Sequence, residues 1–252
     1  MKKAIKPVVI INIIVFFAAV SLLVYFTRLI VNADYFTIKD IICREANPAD
    51  FYYLAGKNIF SLNLKKESAR LSAFYPHYKL VRLVRIIPNQ IYIDLLRRVP
   101  IAYLKLYRNF YVDEALFIFE FPDTKVVGDL PVIYGLDKAT FAIKPGKRYN
   151  IPELEAAIEI IKEIRANKAL DNFKIKRIDL KSHADAVILG SLRVSGNVQI
   201  FSILEIRIPQ ANIKSKIRIL SSLFSQGIDN LRKIKYIDLR FKEPVVKFKN
   251  AA

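Results

Sequence analysis

Side chains suited to catalysis or metal binding are scarce in this 252-residue chain. It has two histidines, His77 and His183, and one cysteine, Cys43. A structural zinc site takes four Cys or His ligands, so these three side chains are too few. One cysteine cannot form an intramolecular disulfide, and its place in the apolar run 41–43 favours a buried thiol over a reactive one. We therefore predict neither a metal site nor a cofactor.

Catalytic motifs are also missing from the sequence. It contains no Gly-x-Ser-x-Gly, Ser-x-x-Lys or His-Glu-x-x-His, and its seven glycines are dispersed, so no loop offers clustered amides to a phosphate. The adjacent acids Asp113 and Glu114 would point to opposite faces of an extended chain, which suits a turn better than an acid–base pair. Asp179 and Asp238 lie inside apolar strand patterns, where hydrogen-bonded structural carboxylates are the usual case. We predict that the chain is not an enzyme.

An uncharged segment, residues 8–27, lies between three lysines on its amino-terminal side and Arg28 on the other. A helix of ~20 apolar residues matches the hydrocarbon core of a bilayer. A cleaved secretory signal is the alternative, because residues 31–33 resemble a cleavage site, but signal cores run only ~7–15 residues. We favour a transmembrane helix over residues 8–30. The lysine excess predicts that the tail, residues 1–7, is cytoplasmic and that everything after the helix is extracytoplasmic.

The whole chain is strongly basic, with a formal net charge of +18 and a pI near 9.9. Such a balance is common in nucleic-acid-binding proteins. Here, however, the basic residues are scattered among Ile, Leu and Val, without a long basic run or a motif of stacking aromatics. A domain held beside an anionic membrane gains ~1 kcal/mol from each nearby lysine. The sequence therefore predicts association with a membrane, and neither nucleic acid nor a small-molecule substrate.

The positions of apolar residues and turn signals predict a small β-α-α-β-β unit over residues 34–104. A first helix, 49–54, opens at Pro48 and closes at Gly56, the usual asymmetry of helix ends. A second helix follows from the i, i+4, i+7 spacing of Leu64, Ser68 and Leu71, and it ends before Pro76. The strands are an extended start at 36–41, an imperfect pattern over 79–85 and a cleaner one over 90–96 after the turn signal Pro88-Asn89.

The spacing of apolar residues over 105–249 predicts a mixed β domain with two amphipathic helices. One begins at Pro152 with the apolar stripe Leu154, Ile158, Ile161 and Ile164; the other covers 213–223 with the stripe Ile213, Ile217, Leu220 and Phe224. Strands are expected over 175–180, 186–189, 192–194 and 198–201. The predicted fold class is α+β: an N-terminal transmembrane helix, the β-α-α-β-β unit and this β domain.

Several short motifs stand out along the chain. They are residues 58–60; Val84-Arg85 with Pro88, Ile91 and Ile93; residues 98–102; Tyr111–Glu114 with Phe117; the Leu-Pro-x-Ile-x-Gly element at 130–135; and the closing run Tyr236-Ile237-Asp238-Leu239-Arg240-Phe241. Together they resemble the FtsQ/DivIB family of bacterial cell-division proteins, and the closing run is the strongest match. The motifs before residue 104 resemble the POTRA module of that family, although Arg97 stands where an acidic residue is usual. Tyr111–Glu114 with Phe117 resembles its strand-turn-strand opening without the usual turn glycine.

The resemblance implies a non-catalytic scaffold of the divisome. Such a protein is anchored in the inner membrane by one span, lies at the division septum and recruits membrane-bound division proteins of the FtsB/FtsL type. The alternative is a POTRA-containing component of an envelope assembly or secretion system. That class should carry many alternating strands of ~10 residues for a transmembrane barrel. The ~145 residues after the POTRA unit, with two helices among them, are too few.

The resemblance also places a partner-binding site at the carboxyl end. Pro244 lacks an N–H and fits an edge or a bend, so residues 245–249 are expected to form a short, lysine-flanked edge strand. In the family, this region and the preceding Arg-aromatic pair receive a strand from a small partner. The alternative for Phe241 and Phe248 is that both pack in the domain's own core. The predicted site residues are Arg240, Phe241, Val245, Lys247 and Phe248.

Overall fold

The computed structural model describes residues 7–121, 128–136, 143–180, 184–193, 201–225 and 233–249. Its contacts divide the chain into two compact units, one up to Arg97 and one from Arg98 onward. The change of unit therefore falls between these two arginines, whereas the boundary expected from the sequence follows residue 104. Residues Ala102–Lys105 already pair within the sheet of the second unit.

The apolar segment forms one long helix, α1, over Pro7–Val31. Every side chain described between Ile11 and Ile30 is exposed, so this helix has no protein partner in the structure to cover it. Its stretch Ile11–Val31 is long and apolar enough to cross a membrane. The prediction of one long apolar helix at the amino terminus is confirmed; the helix begins one residue earlier than expected, at a proline, which fits a first helical turn.

The first unit is a three-stranded sheet with helices, in the predicted order. Its strands are β1 Asp40–Cys43, β2 Tyr78–Ile86 and β3 Gln90–Arg97. The sheet order is β1-β3-β2, with β1 parallel and β2 antiparallel to β3. The first predicted helix is a 3-10 helix, Pro48–Leu54, and the second is α2, Leu64–Phe74; a 3-10 turn over Asp34–Phe36 precedes the sheet.

Asparagine side chains start both helices of this unit. Asn47 accepts a hydrogen bond from the amide of Ala49, and Asn63 accepts one from that of Lys66, which satisfies amides left free at a helix start. Cys43 is half-buried against the core rather than fully buried as predicted, because it is the last residue of β1. The most deeply buried residues of this core are Ile38, Phe51, Leu54, Ile59, Ile91 and Ile93.

The second unit is built on one mixed sheet covered by two helices, α3 Pro152–Ala166 and α4 Ile213–Ser225. In the part that the structure describes, the sheet order is β13-β12-β11-β10-β9-β7-β4-β5-β6-β8. A 3-10 turn, Lys168–Leu170, follows α3. The strands are β4 Ala102–Lys105, β5 Asn109–Val112, β6 Phe117–Phe119, β7 Val132–Tyr134, β8 Lys147–Arg148, β9 Phe173–Asp179, β10 Asp185–Arg193, β11 Phe201–Pro209, β12 Ile234–Asp238 and β13 Val245–Phe248.

Both helical stripes predicted from the sequence are buried in the core of this unit. They share that core with inward-facing residues of the strands, such as Leu104, Ile133 and Ile206. A sheet covered in this way buries one face and leaves the other open to solvent, hence the alternation of buried and partly exposed residues along its strands. The α+β class is confirmed.

Strand boundaries differ from the prediction around Gly190. The segments 186–189 and 192–194 were expected to be separate strands, but the structure shows one strand, β10, through Arg193. Its register against β9 shifts between Leu189 and Gly190, as at a β-bulge, and the hydrogen-bonded ladder continues beyond this shift. Residues 194–200 lie outside the described residues. Of the strand expected over 198–201, the structure therefore describes Phe201, where β11 begins.

A buried ion pair organises the start of the second unit. Arg98 Nη1 lies 2.7 Å from Asp113 Oδ2, with both side chains almost covered, and the guanidinium stacks on the ring of Phe117. The other oxygen of Asp113 accepts from the amides of Ala115 and Phe117. In the turn that lacks its usual glycine, Leu116 adopts φ 64°, a strained value for a leucine that its burial in the core offsets.

Candidate partner-binding edge

Strand β13 lies at the end of the sheet in the second unit. It pairs antiparallel with β12, from Asp238↔Val245 to Ile234↔Phe248, and the ladder continues through a bond from the Lys249 amide to the Lys233 carbonyl. Among the described residues, no strand pairs with its other side. A terminal edge strand was expected over 245–249, and the structure shows it over Val245–Phe248. Its outer backbone groups are available to another chain.

The two phenylalanines of this region do not pack in the core. Phe241 and Phe248 are 58% and 54% exposed, and Val245 is 47% exposed. Val246 is the residue of β13 that packs against the core, so it holds the strand in place. The edge therefore presents three large apolar side chains to solvent beside unpaired backbone. We call this surface, formed by Phe241, Val245, Lys247 and Phe248, the C-terminal edge.

Arg240 is held by two aspartates of its own unit. Its Nε and Nη2 donate to Asp238 Oδ1 and Oδ2 at 2.9 and 2.7 Å, and its Nη1 lies 3.1 Å from Asp185 Oδ2. The bidentate pair with Asp238 lies at the end of β12, and the contact with Asp185 joins it to the start of β10. The guanidinium also lies 5.9 Å from the ring centroid of Phe241, close enough for a cation–π contact. Arg240 thus positions the neighbouring phenylalanine and has little free hydrogen-bonding capacity for a partner.

The protonation of this pair follows from its geometry. Hydrogen bonds from Arg240 hold the pKa of the Asp238 carboxyl below its ordinary value, although burial of the carboxyl opposes that shift. The same bonds to Asp238, and then to Asp185, raise the pKa of Arg240. Both groups are therefore charged at neutral pH, and the pair is a fixed structural element rather than a proton-transfer site.

The solvent face next to the C-terminal edge carries a stack of cations on one aromatic ring. Arg207 lies 4.4 Å from the ring centroid of Tyr236, and Lys247 Nζ lies 6.0 Å from it. Arg207 also pairs with Glu205 at 2.7 Å. Because Tyr236 and Lys247 are directly opposite each other on β12 and β13, this contact fixes the direction of the lysine side chain.

The segment between β12 and β13 is tied down on both sides. The Leu239 amide donates to the Arg207 carbonyl at 2.8 Å, and Lys216 of α4 donates from Nζ to the Phe241 carbonyl at 2.6 Å. The Arg240 amide donates to Asp238 Oδ1 at 3.1 Å. Phe241 is therefore exposed on a backbone that is already fixed, which lowers the entropy lost on binding.

All five site residues predicted from the sequence lie in this one region, but they divide into two kinds. Arg240 supports the surface, whereas the other four form it. Sequence reasoning missed Asp185, Lys216 and Tyr236. Tyr236 stands five residues before Phe241 in an alternating strand and could have been found by pairing β12 with β13. The sequence offers no comparable signal for Asp185 or Lys216, which lie 55 and 25 residues from their partners.

A cleft of about 290 Å³ in the same unit carries paired charges. Asp129 at its border binds Lys174 and Lys176 at 2.5 and 2.7 Å, and hydrogen bonds from these lysines lower the pKa of the Asp129 carboxyl. Ser191 and Arg193 line the same cleft. In the described part of the chain, His, Cys, Asp and Glu residues form no group of three or more that could hold a metal ion.

Comparison with known proteins found one curated relative that covers most of the chain. No family model matches the chain. The chain is similar to the cell division protein FtsQ of Syntrophotalea carbinolica, with 25% identity over 226 residues, which cover 87% of this chain and 76% of that protein. This chain is a homologue of FtsQ. The resemblance stated from its motifs is thereby confirmed: it is a cell-division protein with an N-terminal helix suited to anchor it in a membrane.

Proposed function

We propose that this FtsQ homologue is a non-catalytic scaffold of the divisome. Its α1 helix crosses the inner membrane with the amino terminus in the cytoplasm, and both units act outside the cytoplasm at the division septum. The C-terminal edge captures a strand of a membrane-bound division protein of the FtsB/FtsL type. The observation that carries this proposal is an edge strand with one side unpaired among the described residues and three exposed apolar side chains around it.

Strand addition explains why the exposed groups lie together. Alternate residues of an antiparallel edge strand point their N–H and C=O away from the sheet, so a four-residue strand offers two residues for new ladder bonds. Those bonds supply affinity without sequence specificity, and flanking side chains supply specificity. Phe241 and Phe248 are large aromatic groups of the kind that dominates binding energies at interfaces.

The charge around the edge indicates the chemistry of the partner. Residues 233–249 carry six basic side chains and two acidic ones, Asp238 and Glu243, a balance of +4. Asp238 is already paired with Arg240, so the exposed surplus is lysine. A captured strand rich in Asp or Glu would meet these lysines, gain a faster association rate at low salt and be selected over neutral strands. The six basic residues are Lys233, Lys235, Arg240, Lys242, Lys247 and Lys249.

Site-directed photo-cross-linking in native membranes tests the proposal whatever the identity of the partner. Phe248 and Phe241 are replaced one at a time by benzoylphenylalanine, which changes each ring the least. Irradiation should give adducts of discrete mass at both positions, and mass spectrometry should identify small single-pass division proteins. The matched control is the same replacement at Tyr107, an aromatic residue that is 64% exposed on a different turn of the same unit.

Two results decide the outcome. Adducts that are identical at the control position, or adducts only with components of an assembly or secretion system, would overturn the proposed role. In addition, deletion of residues 245–252 and Phe241→Ala should each weaken capture of the identified partner at least ~10-fold, as expected for loss of an interface anchor. The melting temperature of Phe241→Ala should change little, because that side chain is exposed. The deletion should lower it, because it also removes Val246, which packs against the core.

A further inference from the structure

Four large apolar side chains are exposed around one end of the first unit. Tyr35, Ile87, Phe60 and Ile86 are 65%, 61%, 39% and 39% exposed. They come from three separate segments of the chain: the 3-10 turn after α1, the residues after the first helix and the turn between β2 and β3. We call this surface the apolar rim. Exposed apolar groups mark an interaction surface when they form one patch, whereas apolar groups exposed singly are common on any protein.

The hydrogen bonds of the backbone bring these segments together. The amides of Lys39 and Asp40, where β1 begins, donate to the Asn89 carbonyl in the β2–β3 turn. The Ile59 amide donates to the Phe36 carbonyl, and the rings of Phe36 and Phe60 meet edge to face at 5.1 Å. The start of β1, the 56–60 segment and the β2–β3 turn therefore share one end of the unit.

That end is joined directly to the apolar helix. The side-chain amide of Asn58 donates to the carbonyl of Val31, the last residue of α1, at 2.8 Å. Between the helix and the sheet, the amides of Ala33, Phe36 and Thr37 each donate to a carbonyl three residues earlier. The segment between α1 and the sheet is therefore short and hydrogen-bonded. As a result, the apolar rim lies at the same end of the unit as the point where α1 leaves the bilayer.

Basic side chains surround the rim. Lys39 and Lys57 are exposed on its two flanking segments, and Lys65 and Lys66 lie in the first turn of α2. Arg85, whose guanidinium donates to the carbonyls of Ile59 and Leu62, ties that turn to the same end. The acids here are Asp34 and Asp40, both exposed, and Glu67 in the first turn of α2, which is paired with Arg70. Four lysines against two unshared carboxylates and this paired one leave a positive surface around apolar and aromatic groups.

We propose that the apolar rim rests on the bilayer, with its apolar side chains at the headgroup level and its lysines on anionic lipid headgroups. Tyrosine and other amphipathic or apolar groups prefer that depth, and lysines beside an anionic leaflet are attracted to it. We favour lipid over a protein as the binding partner of the rim, because the rim lies next to the end of α1, the helix that enters the membrane. The unit is thereby held in one orientation instead of rotating about its tether.

The absence of tryptophan from the sequence permits a direct depth measurement. Ile87→Trp and Phe60→Trp each introduce the only tryptophan of the full chain, which is reconstituted into liposomes that contain anionic lipid and lipid brominated near the headgroup. The matched control is Leu96→Trp, a residue that is 53% exposed near the opposite end of β3. At ~3.3 Å per residue, six positions of strand separate it from Gln90, about 20 Å.

We expect the tryptophans at 87 and 60 to emit at shorter wavelength and to be quenched by the brominated lipid, with the tryptophan at 96 unaffected. Lys39→Glu combined with Lys57→Glu should reduce that quenching in anionic liposomes and leave it unchanged in zwitterionic ones. Equal quenching at 87 and 96 would overturn the proposal, because both ends of the sheet would then contact the bilayer and not the rim alone. If neither rim position is quenched in liposomes of pure lipid, the proposal is also wrong. A protein would then be the expected binding partner of the rim.

Discussion

Arg240 and Asp238, two residues apart at the end of β12, form a bidentate ion pair with N–O distances of 2.9 and 2.7 Å. The Asp238 side chain is 5% exposed and that of Arg240 is 34% exposed, so the pair closes the core at the point where the chain turns toward β13. The arginine of the Arg-aromatic pair therefore serves the fold, and the aromatic residue that follows it serves the surface. Substitutions at 240 and 241 should separate these two roles.

Arg240→Ala should destabilise the second unit by about 1–2 kcal/mol. Hydrogen bonds to charged groups contribute roughly 1.5–3 kcal/mol, and partial exposure of Arg240 reduces that value. Denaturant unfolding of the purified protein measures the loss. The matched control is Lys242→Ala, an exposed cation in the same segment, which should change the free energy of unfolding by less than about 0.5 kcal/mol. Equal effects of the two substitutions would contradict a structural role for Arg240.

The same pair predicts a loss of stability in acid. The pKa of the Asp238 carboxyl is lowered in the folded state, so the folded protein binds that proton less readily than the unfolded chain. The stabilisation is therefore complete above the ordinary pKa of 3.8 and is lost as the pH falls through the lower folded value. Unfolding measured from pH 6 down to about pH 2 should show a smaller acid loss for Asp238→Asn than for the original chain. An unchanged acid dependence would assign the loss to other carboxylates.

Elements with a strong local pattern could be predicted from the sequence. The apolar run of α1, the stripes of α3 and α4, and strand β3 with its alternating Ile91, Ile93 and Leu95 all lie where the pattern placed them. The edge position of β13 followed from Pro244 and the flanking lysines. Each of these signals lies within the element itself, so contacts with distant segments were not required to find it.

The parts that the sequence could not predict depend on contacts between distant segments. Strands β4, β7 and β8 have two to four residues each, too few for a period to be recognised, and partners in the sheet define them. The support of Arg240 by Asp185 joins residues far apart in the chain, and Lys216 reaches the Phe241 carbonyl from another helix. The apolar rim likewise combines three segments that have no common motif.

Gly190 is a position in β10 where a side chain is poorly tolerated. A Cβ at this residue would overlap the ring of Phe173 and lie 2.8 Å from the Lys174 carbonyl oxygen. Phe173 is buried against Phe224 of α4, so its ring has little room to move. Gly190→Ala should therefore destabilise the second unit by about 1–3 kcal/mol, the usual cost of overpacking.

Thermal unfolding of Gly190→Ala alone and combined with Phe173→Leu measures this effect. The smaller and more flexible leucine makes room for the added methyl group, so the double variant should lose less stability than the sum of the two single variants. Simple additivity would show that the ring is not what excludes a side chain at 190.

The orientation of the chain is the last prediction, and it depends on charge at the two ends of α1. Lys2, Lys3 and Lys6 precede the helix, and Arg28 is the basic residue of its last turn. Positive residues are retained on the cytoplasmic side during insertion, so both units should be extracytoplasmic. Protease added to intact spheroplasts should digest residues beyond α1 and leave a tag fused to the amino terminus protected. Replacement of the three lysines by glutamine should produce a fraction of chains with the opposite orientation, in which the tag is digested. Protection of both units until the membrane is ruptured would show that the amino end, and not the carboxyl end, crosses the membrane.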